Sequence, residues 1–163
     1  MAILLCRVDD RLIHGQVVVG WGAQLGVDFI AVVDDELSAS DWEQDLYRAG
    51  LPDTVGAHFV STGDAIDLIP EWVNNAERGF VLTRDINTMR RLAESGLLDE
   101  IEVNLGGIHV APGRKRVMPY LFLSDDDWGE LQRLREMEVA VSAQDVPTAR
   151  KIGLDELLEL RLG

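Results

Sequence analysis

Short apolar runs alternate with helix-patterned segments along this chain, and that alternation limits the fold more than any other feature. Ala2 to Val8 reads as a strand. A helical pattern follows from about Gly15 to Leu25, with Val17, Val18, Trp21 and Leu25 at helix-like spacing and Gly26 as C-cap. Phe29 to Val33 is continuously apolar, the pattern of a strand buried on both faces. The order then repeats. A helix from a Ser40 cap to Ala49 precedes a strand from Ala57 to Val60, and a helix from Asp64 to Trp72 precedes a strand from Gly79 to Leu82. Asn87 to Ser95 is a helix ending at Gly96, and Ile101 to Val103 a short strand entering a turn, Asn104-Leu105-Gly106-Gly107. Val117 to Leu123 is read as one strand, and Ser124 opens a helix carrying Trp128, Leu131 and Leu134. Val139 to Val141 is the last strand, and Pro147 stands where a further helix can begin.

About six alternations of strand and helix predict an α/β fold: an open, doubly wound, mostly parallel central sheet with helices on both faces. The 163 residues are enough for one core, and residues 1–163 are expected to form a single domain. In such sheets ligands sit beyond the carboxyl ends of the strands. The loops to search are therefore 7–15, 34–38, 61–63, 83–86 and 104–116.

Composition excludes several classes. No apolar run approaches the ~20 residues of a membrane helix, and the N-terminal segment lacks the basic region and cleavage site of a signal peptide. A single cysteine, Cys6, excludes an internal disulfide framework and a Cys-rich metal site. These features predict a cytoplasmic protein. Acidic residues number 29 against 15 basic, a formal charge of −14, which repels nucleic acid and anionic lipid. No nucleic-acid partner, metal or organic cofactor is expected.

The first loop carries the chemistry. It reads Arg7-Val8-Asp9-Asp10-Arg11-Leu12-Ile13-His14-Gly15-Gln16-Val17, between a strand and a helix. Backbone N–H groups at a helix start have no internal partner and favour anions. His14 is a nucleophile that is partly neutral near pH 7. Arg7 and Arg11 bring charge to a transferring phosphoryl group. Asp9 or Asp10 is placed to accept a bond from one imidazole nitrogen and leave the other to attack. Gly15 admits a close approach, with Gln16 beside it in the phosphate-binding turn. The competing bland reading of Arg-Asp-Asp-Arg is a solvated ion-pair cluster.

This eleven-residue string resembles the signature of the IIB components of the mannose/fructose/sorbose family, part of the phosphoenolpyruvate-dependent sugar phosphotransferase system (PTS). Asn104-Leu105-Gly106-Gly107 is similar to the family's Asn-x-Gly-Gly turn, and the resemblance spans nearly the whole chain. It implies an open doubly wound sheet and a protein-Nπ-phosphohistidine–sugar phosphotransferase. His14 would accept a phosphoryl group from the phosphorylated IIA component and pass it to a sugar arriving through the membrane components IIC and IID. It also implies a cytoplasmic protein peripherally associated with those membrane components. The alternative is a regulatory phosphohistidine protein that signals without sugar transport. After the paired glycines the sequence runs Ile108-His109-Val110, where the family often lacks a histidine.

Other signals carry less. The glycines from Gly20 to Gly26 lie inside a helix and have the wrong spacing for a dinucleotide fingerprint. Cys6, mid-strand, is a poor nucleophile. His14, His58 and His109 do not form a metal-ligand spacing; His58 is read as structural and His109 as a residue that can approach the active loop. Arg84 closes a strand at the same sheet edge and is a weaker phosphate-contact candidate. Arg114-Lys115-Arg116 is the densest basic run, either a solvated hairpin tip, a docking patch for an acidic partner surface such as the donor's, or extra positive potential near the phosphate. Trp21, Trp42, Trp72 and Trp128 are read as packing residues.

Overall fold

The computed structural model describes residues 3–96 and 98–162. The first strand, β1 (Ile3–Val8), is followed by a π-helical segment, Gln16–Gly22, that continues into a short helix α1 (Ala23–Leu25). Then come β2 (Phe29–Val33), α2 (Asp41–Ala49), β3 (Gly56–Val60), α3 (Thr62–Asn74), β4 (Gly79–Thr83) and α4 (Ile86–Ala93). The second half contains β5 (Val103–Leu105), β6 (Lys115–Met118), β7 (Leu121–Leu123), α5 (Asp125–Glu136), β8 (Val141–Ala143), β9 (Ile152–Gly153) and α6 (Leu154–Leu162).

Seven strands form one open sheet in the order β3-β2-β4-β1-β5-β8-β9. The pairings are parallel except that β9 runs antiparallel to β8. Successive side chains of a strand point to opposite faces, and here both faces are covered. From β2, Phe29, Ala31 and Val33 join Ile69, Met89, Leu131 and Leu157 of α3 to α6. Ile30 and Val32 join Val17, Trp21 and Leu37 on the other side. In β1, Ile3 shares a face with Cys6 and Val8, because a register shift between Ile3 and Leu5 inserts one residue. The expected doubly wound α/β sheet is therefore what the chain forms.

Helix starts follow local chemistry. Ser61, Asp85 and Ser124 accept backbone N–H bonds from Asp64, Thr88 and Asp127, and Asp127 returns a bond to complete a capping box. Gly26 ends the first helix in the left-handed region, φ +65°.

Several expectations need correction. Ala2 lies outside the described residues. Asn104 and Leu105 are strand, not turn: they pair with Arg7 and Val8 of β1. The run from Val117 to Leu123 is not one strand but part of an antiparallel hairpin of β6 and β7, because Pro119 has no N–H to continue a ladder. The strand expected at 139–141 lies at Val141–Ala143, and Pro147 starts no helix; β9 and α6 follow instead. Of the four tryptophans, Trp42 is 68% exposed on α2 and is not a packing residue.

Candidate active site

The loop after β1 is tied among the carboxyl ends of β4 and β5. Asp9 N–H donates to the Thr83 carbonyl (2.9 Å), Asp10 N–H to Gly107 (2.8 Å) and Gly106 N–H to Val8 (2.7 Å). The loop thus occupies the end of the sheet where ligands of such folds bind.

Beneath it lies Arg7, with no exposed surface. Nη1 donates to Asn104 Oδ1 and to the Gln144 carbonyl (2.8 Å). Nη2 donates to the Asp145 carbonyl (2.8 Å) and to Asp9 Oδ2 (3.3 Å). The Trp21 ring stacks on the guanidinium at 4.8 Å, and the indole N–H donates to the Asp145 carbonyl (3.2 Å). Burial pulls the Arg7 pKa below its ordinary value, against the opposing pull of the Asp9 charge. A Cβ on Gly106 would stand 2.2 Å from Nη2, so this position must be glycine for the cation to fit. Arg7, expected to contact phosphate, has no surface open to one in this structure and lies enclosed beneath the loop.

Asp9 joins the floor to the rim. Its buried carboxylate receives Arg7, the Arg11 backbone N–H and Nε (both 3.2 Å to Oδ1), Arg11 Nη2 (3.2 Å) and the Gly107 N–H (3.3 Å). Burial alone would raise its pKa. Hydrogen bonding from Arg11 and the charges of Arg7 and Arg11 prevail, holding it below the usual carboxylate range. Arg11 is one-third exposed, and its Nη2 also reaches Gln16 Oε1 (3.2 Å). Unlike Arg7 it keeps an open side. Gly15 is exposed in an ordinary right-handed conformation, with open space where a Cβ would stand.

His14 is largely enclosed, its side chain 18% exposed. Nδ1 lies 2.8 Å from the Leu12 carbonyl, which can only accept, so this nitrogen carries the proton. Nε2 is buried, faces Asp9 Oδ2 at 3.9 Å and makes no hydrogen bond. Leu12 presents its carbonyl from the left-handed region, φ +56°, at a cost of about 1–3 kcal/mol for a residue with a side chain. Its fully buried side chain and its N–H bond to the Asp9 carbonyl (3.0 Å) hold it there.

Asp10 does not face His14. Its carboxylate accepts from the His109 backbone N–H (2.8 Å) and from His109 Nδ1 (2.6 Å). Arg84 donates from Nε to Asp34 Oδ1 (3.2 Å), so its charge is committed to the end of β2. Arg114 is not at a hairpin tip. It follows a turn closed on Ala111, pairs with Asp127 at the start of α5 (3.2 Å) and donates to the His109 carbonyl (3.4 Å). Lys115 and Arg116 are exposed on β6. Burial pushes the Cys6 thiol up to about 12, far from reactivity. His58 packs edge-on to Phe29 (5.3 Å) and over Trp72 (6.1 Å).

Sequence reasoning missed the residues that hold Arg7: Trp21, Asn104, Gln144 and Asp145. Extending the search to the loop after the last parallel strand would have found the last two. Leu12 carried no signal, since a left-handed leucine is visible only in the backbone.

Residues 3–162 match the model of the family described as the PTS system sorbose subfamily IIB component. The chain is 33% identical to the N-acetylgalactosamine-specific phosphotransferase enzyme IIB component 1 of Escherichia coli strain K12, over 91% of this chain and 94% of that protein. It is 30% identical to the mannose-specific EIIAB component of the same strain, over 97% of this chain and 49% of that longer protein. Among solved structures, manxB from Thermoanaerobacter tengcongensis superposes with a TM-score of 0.85 at 31% identity, covering 96% of this chain and 95% of that one.

Proposed function

Because this chain belongs to the sorbose-type IIB components of the phosphotransferase system, proteins of phosphoryl transfer to sugar, we propose that His14 is the residue that carries the phosphoryl group. The observation that carries this reading is the partly open His14 imidazole at Asp9, beside the partly open Arg11 guanidinium and over buried Arg7.

The proposed transfer starts from a neutral ring. At rest the His14 proton is on Nδ1, toward Leu12. Tautomer exchange moves it to Nε2, on the Asp9 side, where a small ring rotation brings it to the carboxylate. The ring must also turn away from the Leu12 carbonyl to free the Nδ1 lone pair, which fits the Nπ-phosphohistidine of a mannose-family enzyme. It attacks the phosphorus of a phosphohistidine presented by the IIA component. The N–P bond of the donor breaks as the bond to His14 forms. Charge spread over the phosphoryl oxygens is met by Arg11, backed by the buried Arg7. In the second half a sugar hydroxyl oxygen attacks, and the N–P bond at His14 breaks.

Asp9 is the orienting carboxylate, Arg11 the catalytic cation, Gly15 and Gln16 the rim of the phosphate site. The donor is the phosphorylated IIA component and the acceptor a sugar held by IIC and IID. No helix among the described residues is long and apolar enough to cross a membrane; the chain acts at the cytoplasmic face beside those membrane components.

Reconstitution tests this. Phosphoenolpyruvate, the upstream carriers, the IIA component and membranes bearing IIC and IID should form sugar phosphate only when this chain is added. Sugar phosphate formed equally without it would refute the reading.

A further inference from the structure

One titratable pair beside the loop has no part in the steps above. His109 follows the paired glycines, and its ring is half exposed. Asp10 grips it twice, at the backbone N–H (2.8 Å) and at Nδ1 (2.6 Å). The Arg114 guanidinium, anchored on Asp127, caps its carbonyl. The ring also lies beside Arg11. A Cβ built on Gly107 would stand 3.3 Å from His109 Cε1 and 3.1 Å from Arg11 Nη2, so the ring and the catalytic cation flank one point.

The two halves of the reaction differ in their proton needs. Transfer from one imidazole to another exchanges two nitrogen nucleophiles, and no proton need leave. Transfer to a hydroxyl forms an O–P bond and breaks the N–P bond at His14, and the hydroxyl proton must go to a base. We propose that His109, held by Asp10, accepts that proton. The argument rests on the reading that His14 is the phosphoryl carrier. Asp10 takes the Nδ1–H, so Nε2 holds the lone pair, the same division of labour as in other Asp–His pairs. The hydroxyl proton moves to Nε2 as its oxygen bonds to phosphorus, and the exposed ring returns it to water. Nothing is oxidised or reduced.

The test separates the two halves. The chain is charged by phosphorylated IIA, freed of donor, and its discharge into water and into glycerol is followed in H2O and in D2O. His109→Gln should slow discharge about 10²-fold and abolish the solvent isotope effect. Charging of His14 by the donor should stay within a factor of about two. Asp10→Asn should move discharge in the same direction by less. Discharge of His109→Gln at the wild-type rate with the wild-type isotope effect would overturn the proposal, as would equal slowing of charging and discharge. Failure of the His14 reading itself appears separately, as wild-type protein that takes no phosphate on His14.

Discussion

Two arginines four positions apart receive opposite assignments from their surroundings. Arg7 is enclosed with four oxygen partners, whereas Arg11 shares only Asp9 and Gln16 and keeps an open side. Arg11→Ala should therefore slow phosphoryl transfer about 10²–10³-fold, as expected when one preorganised donor to developing charge is lost. The thermal midpoint should change little, because Asp9 keeps Arg7 and the Gly107 N–H; rapid-quench transfer from labelled IIA and a melting curve check both. Asp9 makes stability depend on pH. Its folded pKa lies below the ordinary ~3.9, so its contribution is complete above that value and is lost as pH falls through the folded pKa. Asp9→Asn leaves Arg7 buried without its counter-charge and should cost about 3–5 kcal/mol at pH 7. Urea unfolding at pH 7 and pH 3 should show the gap to wild type narrowing at the lower pH.

The elements decide how much of this was legible in advance. Continuous apolar runs buried on both sides, as in Phe29–Val33, named the central strands, and cap residues such as Ser124 named helix starts. The candidate site in the 7–16 loop was legible because a histidine, two carboxylates and two guanidiniums are contiguous there. The partners of Arg7 were not, because β5 and β8 bring Asn104 and Gln144 to it from 97 and 137 positions away. The double glycine after β5 read as a turn; its physical reason is contact, with Gly106 against Arg7 and Gly107 against Arg11 and His109. Gly106→Ala drives a methyl into the guanidinium. It should lower stability by about 1–3 kcal/mol or more and disturb the loop, since nothing beside Arg7 can yield. Chemical denaturation measures this, and stability equal to wild type would show that the cation has another place to go.

Across the whole molecule, a formal charge of −14 makes exposed cations near the site matter for encounter. With Arg114 bound to Asp127, the proposed docking patch reduces to Lys115 and Arg116, on the hairpin that Ile108 ties to the end of β5. Replacing both with Ala should lower the second-order rate with IIA and flatten its salt dependence, leaving the single-turnover rate in a saturated complex nearly unchanged. The central claim is that one imidazole carries the phosphoryl group, and its most direct test is chemical. After incubation with phosphorylated IIA, the chain is digested at alkaline pH and the phosphate located by tandem mass spectrometry. The account predicts one acid-labile, base-stable phosphate per chain, on His14, and none on His14→Ala. Phosphate on Cys6, His58 or His109, or full labelling of His14→Ala, would contradict it.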